Sequence, residues 1–82
     1  MVALAAMNIP EWLRGMLEDG RFRSTYDMSL RWGIPEPTIS RWLNGQRRPS
    51  VSNCVKLAQV TDTSIEEVVR MANAEDVRTG SV

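Results

Sequence analysis

Residues 24–50 read STYDMSLRWGIPEPTISRWLNGQRRPS, and the way this stretch folds settles the rest of the chain. Two short helical patterns meet at Gly33 with almost nothing between them. The first follows Ser24, whose hydroxyl suits a helix N-cap, and places Met28 and Trp32 on one face. The second runs from near Pro37 to Asn44, stops at Gly45, and carries Ile39, Trp42 and Leu43 as its apolar positions. Glycine takes the positive φ that a tight helix end requires without steric cost, so Gly33 is the natural stop.

So short a link cannot join two long helices lying side by side. They must cross steeply, which is a helix-turn-helix. The crossing needs a small residue inside the first helix, and Ser29 supplies it. It also needs an apolar plug after the turn, which is Ile34. Pro37 falls in the first helical turn, where no N–H is missed, and as the residue before it Glu36 is expected in extended conformation. Pro35 stiffens the turn.

Outward from this stretch the pattern stays helical, with no alternating strand pattern anywhere. Asn8-Ile9-Pro10 opens a helix that closes at Gly20, with Ile9, Trp12, Leu13, Met16 and Leu17 apolar. Ser50 or Ser52 caps a fourth helix through Val60, whose buried face reads as Val51, Cys54 or Val55, Leu57 and Ala58. Ser64 caps a fifth, where Ile65, Val68, Val69 and Met71 are apolar and Glu66 and Glu67 complement the helix dipole. The expected organisation is an all-α domain of five helices over residues 9–72, with residues 1–8 a flexible leader and 73–82 a flexible tail.

The 82 residues hold no histidine and one cysteine. This removes the commonest general base and any cysteine-based metal cluster or internal disulfide. With no Gly-rich phosphate loop and no nucleophile–base pair, an enzyme is not expected, nor a cofactor or small-molecule ligand. No apolar run approaches the roughly 18 residues of a membrane span, and the short, non-basic MVALAAM start is not expected to be a signal peptide. The expected compartment is the cytoplasm. Trp12, Trp32, Trp42 and Cys54 all read as core.

Ten basic residues balance ten acidic ones, but unevenly. Gly20 to Ala58 holds Arg21, Arg23, Arg31, Arg41, Arg47, Arg48 and Lys56 against only Asp27 and Glu36, while both flanks are acidic. A chain of zero net charge can therefore present one positive face.

Taken together, the chain resembles the phage Cro and repressor type of helix-turn-helix domain. The string TIS-R-x-x-NG-x-RRPS carries the most specific part of the likeness, and VKLAQVTDTSIEEVV resembles the family's fourth and fifth helices; the whole spans about Ile9 to Met71. It departs from the family pattern at Thr25 (usually a phosphate-binding glutamine), Ser29 (alanine), Thr61 (leucine) and Asp62 (glycine), and in a GRFR link that looks one residue longer.

The resemblance implies a lambda-repressor-like fold and sequence-specific binding of double-stranded DNA by a bacterial or phage-encoded, nucleoid-associated regulator, most simply a repressor. An α-helix fits the major groove, where the outer face near its N-terminus reaches bases. Those positions are Glu36, Pro37, Ser40 and Arg41; Arg41 suits a bidentate bond to guanine. Glu36 has two open roles: accepting from the cytosine amino group, or favouring the positive end of its own helix. Phosphate contacts are expected from Ser24, Thr25, Thr38, Asn44, Arg47 and Arg48. One such domain touches few bases, so a homodimer on an inverted repeat is expected, with the apolar faces of helices four and five as candidate dimer surfaces. The competing reading is a protein-binding adaptor on the same fold, using Leu43, Val69 and Met71 as its partner surface.

Overall fold

Polar caps set where the helices begin. In this computed structural model, which describes residues 7–80 and side chains through Ala74, five helices follow one another: α1 (Ile9–Glu18), α2 (Thr25–Trp32), α3 (Glu36–Leu43), α4 (Val51–Thr61) and α5 (Ile65–Gly80). Asn8 accepts the Glu11 N–H at 2.9 Å while the Glu11 carboxylate accepts the Asn8 N–H at 3.2 Å, a reciprocal capping box. Ser24, Ser50 and Ser64 each accept the N–H three residues on. Each such cap contributes about 1 kcal/mol.

The ends are as specific. Gly33 closes α2 in the left-handed region at φ 70°. After α3, Gly45 at φ 73° donates to the Trp42 carbonyl and Gln46 to the Arg41 carbonyl. The same pair of bonds closes α4, where Asp62 takes φ 55° and Thr63 donates to Ala58. Asp62 thus fills a glycine's place, because its short polar side chain tolerates that conformation better than most.

One core gathers from all five helices. Ile9, Leu13, Met28, Ile39, Trp42, Leu57, Val68 and Met71 are fully buried, and Trp12, Trp32, Ile34 and Cys54 lie beside them. Helix α1 packs on α3 and α5, α4 on α5, and α2 on α3. The GRFR link is stitched to its surroundings. Phe22 meets Trp32 edge-on at 5.1 Å, Arg31 lies over the Phe22 ring at 5.5 Å, and Arg21 and Arg23 donate backbone N–H groups to Asp19 and Asp27.

Several expectations are corrected. Helix α3 begins at Glu36, one residue before Pro37, because the Pro35 carbonyl already accepts from Thr38 and Ile39 at 3.0 and 3.2 Å. Glu36 is therefore the first helical residue and not extended. Val51 is 78% exposed, since the first turn of α4 projects past the edge of the core. Met71 is 1% exposed and Leu43 half-buried, so two of the three residues named for an adaptor surface belong to the core or its margin. Helix α5 continues past Ala72 to Gly80, with no glycine or proline between them to stop it. Of the expected leader and tail, residues 1–6 and 81–82 lie outside the described residues; Asn8, assigned to the leader, is a buried cap.

Two outcomes follow from this packing. A Cβ at Gly33 would meet nothing closer than Lys56 Nζ at 3.7 Å, so Gly33→Ala is strained by its dihedral alone. It should lower unfolding stability by about 1–2 kcal/mol at unchanged m-value in urea, and Gly33→Asn by less. Burial pushes the Cys54 thiol above its ordinary pKa, so a thiol reagent at neutral pH should label the native chain slowly and the urea-unfolded chain quickly.

Candidate nucleic-acid interface

Where α2 and α3 cross, three local interactions fix their angle. Gly33 turns the chain, and its N–H donates to the Ser29 carbonyl at 2.9 Å. The Ser29 hydroxyl donates to the Ile34 carbonyl at 2.6 Å, and the Ile34 side chain is buried beneath the turn. The serine in the usual alanine position is therefore a hydrogen-bonding brace. Lys56 of α4 brings its ammonium to the C-terminal end of α2, where helix carbonyls favour a cation.

This geometry leaves the outer face of α3 open. Pro37 and Arg41 are exposed, while Glu36, Thr38 and Ser40 are half-buried. Pro35 is the N-cap with φ −57° and ψ 138°, and no side chain caps this helix. Glu36 lies in the first turn, where a carboxylate complements the helix dipole. Beyond α3, Asn44, Arg47 and Arg48 are exposed on a loop anchored at one end by the Gly45 turn and at the other by buried Pro49.

The start of α2 lies against the start of α3. Thr25 Oγ1 donates to Glu36 Oε2 at 2.5 Å, which joins a residue assigned to phosphate with one assigned to bases. Sequence spacing alone could not show this bond, because it spans two helices. Ser24 uses its side-chain oxygen to cap Asp27, so what it and Thr25 offer outward is chiefly the N–H groups that open the helix. Asp27 is also not free: it accepts the Arg23 N–H at 3.0 Å and the Arg31 Nε at 3.2 Å.

On α2, Tyr26 and Leu30 are exposed at 62% and 65%, one turn apart on one side, and the sequence reading had given them no role. On α5, Ile65 and Val69 line a shallow open groove with Glu66, Arg70 and Asn73. Among the described residues no group of three His, Cys, Asp or Glu side chains is placed to hold a metal, and no helix is long and apolar enough to cross a membrane.

A helix pair joined by a glycine turn, its second helix open along one face and set in a five-helix core, defines a helix-turn-helix module of the Cro and repressor type. Residues 26–68 match the family described as helix-turn-helix, more than half of the chain, and the chain belongs to that family, which is not enzymatic. An uncharacterized HTH-type transcriptional regulator of Haemophilus influenzae is 36% identical over 59 residues, which is 72% of this chain and 24% of the relative. The chain thus spans about a quarter of that curated relative's length. No solved structure gives a significant match.

The Arg23 backbone N–H, and after it the Arg31 guanidinium, hold the Asp27 carboxyl below the ordinary carboxylate range. A depressed folded-state pKa stabilises the fold above the unfolded-state value and is lost as pH falls through the folded one. Asp27→Asn should therefore flatten the acid limb of the stability–pH curve, measured by urea midpoints, and leave its alkaline limb alone.

Proposed function

We propose that the chain is the sequence-specific DNA-binding unit of a transcription regulator, with α3 in the major groove of double-stranded DNA. The observation that carries this reading is the brace at the crossing. It holds a face with exposed Pro37 and Arg41 and half-buried Glu36 and Ser40 in place beside the start of α2 and the Arg47–Arg48 loop. In the proposed complex Arg41 bonds guanine, and Ser40 donates or accepts beside it. Ser24 and Thr25 through helix-opening N–H groups, with Thr38, Asn44, Arg47 and Arg48, anchor phosphates. The chain acts as a homodimer and as a repressor, and the exposed Ile65 and Val69 of α5 are the surface we assign to the second copy. The regulator name of the Haemophilus influenzae relative supports the same reading.

The adaptor alternative keeps one specific observation in its favour, the exposed Tyr26–Leu30 pair. Selection of sites from a random duplex pool separates the two readings. The regulator reading expects an inverted repeat with half-sites about one helical turn apart and affinity that falls steeply with salt. It further expects Arg41→Ala to relax one base position at a cost of about 1–3 kcal/mol. Weak binding without any preferred sequence would instead leave the adaptor.

A further inference from the structure

Thr25 and Glu36 each stand at the first position of a helix, and their side chains meet where the two helices approach. Both are half-buried. An ionised carboxylate only accepts hydrogen bonds, so in this contact the threonine is the donor. At 2.5 Å it is a charge-assisted bond, of the shorter and stronger kind. The hydroxyl proton is thereby committed. Toward a phosphate the Thr25 oxygen has only lone pairs to offer, which an anion does not accept. The carboxylate is meanwhile held by one oxygen, and its other oxygen, Oε1, keeps its acceptor sites.

We propose that Thr25 is a positioning residue that holds Glu36 to read cytosine in the major groove, and that its hydroxyl is not a phosphate ligand. This rests on the DNA-reading function proposed above and names the base that one part of the site selects. The choice follows by elimination from what each base shows in the groove. Guanine presents only acceptors, N7 and O6, and thymine an acceptor and a methyl group. Adenine has an amino donor, but its N7 acceptor lies beside it and repels a second carboxylate oxygen. Cytosine presents the N4 amino group without an acceptor of its own next to it. A fixed, acceptor-only head group therefore fits cytosine.

The test measures affinity of the full chain for its selected duplex and for the three single-base variants at each contacted position, across a salt series. The wild type is expected to prefer cytosine at one position per half-site by roughly tenfold. Thr25→Val, which keeps the shape and removes the hydroxyl, is expected to erode that preference several-fold without changing the slope of log affinity against log salt. Thr25→Ser should restore it, and Glu36→Gln should move the preference to adenine, which an amide matches at N6 and N7. Unchanged helical circular dichroism shows that the variants fold.

Three results overturn the inference. In the first, Thr25→Val weakens every duplex by the same factor, so that the Thr25 hydroxyl touches a phosphate. In the second, the cytosine preference survives Thr25→Val intact. In the third, the wild type selects an operator in which no position depends on Glu36. In all three the regulator reading stands. A wild type that selects no sequence removes both.

Discussion

The crossing of α2 and α3 is the constraint on which the site depends, and three interactions of different kinds maintain it. Burial of the Ile34 side chain contributes most, about 1.5–3 kcal/mol for an apolar residue of that size. The Ser29 hydroxyl bond to the Ile34 carbonyl adds about 0.5–1.5 kcal/mol. The left-handed turn at Gly33 adds no attraction but spares about 1–2 kcal/mol that another residue would lose there. Burial is non-directional, however, and would hold the helices at many angles. The dihedral and the hydrogen bond select one angle, so the smaller terms orient α3 while the larger one holds it in place.

Zero net charge is compatible with an anionic partner because the charges are sorted in sequence and again in space. Arg21 is paired with Asp19, and Arg31 with Asp27. These surface pairs add little stability, yet they neutralise cations on the side of α2 near Phe22. Both acids within the basic segment are engaged as well, Asp27 by Arg23 and Arg31 and Glu36 by Thr25. What stays exposed around α3 and the following loop includes Arg41 and Arg47. The positive face is therefore narrower than the count of arginines suggests, and it is centred on the helix proposed to enter the groove.

Much of this was legible in the sequence because its cause is local. A cap needs a serine or asparagine and an N–H three residues on; a left-handed turn needs glycine, or at Asp62 a tolerant substitute. The tryptophans fell on inward faces, and all three are buried. Reading failed where the cause lies elsewhere in the fold. Val51 has the right helical phase for the core, but the phase does not say where the core ends. Met71, which the adaptor reading alone took as partner surface, lies under its neighbours. The helical start at Glu36 runs against the local preference of a residue before proline. The Pro35 carbonyl bonds and the Thr25 hydroxyl outweigh that preference, and the second of these comes from another helix.

The two prolines and the threonine now make sense as parts of one device around Glu36. Pro35 fixes the backbone at the helix cap, and Pro37 occupies a first-turn position where its missing N–H costs nothing. Each proline at a compatible site removes about 0.4–1 kcal/mol of unfolded-chain freedom. Thr25 does for the side chain what the prolines do for the backbone, sparing an ordering cost of about 0.5–1.5 kcal/mol when a partner binds. A carboxylate is a poor group to bring near phosphates, since repulsion opposes its approach. That penalty falls on every sequence alike, whereas a hydrogen bond to a base is gained on one sequence only. In the proposed complex, holding Glu36 rigid lets it lower affinity in general while sharpening the choice of base, and specificity depends on that difference and not on total affinity.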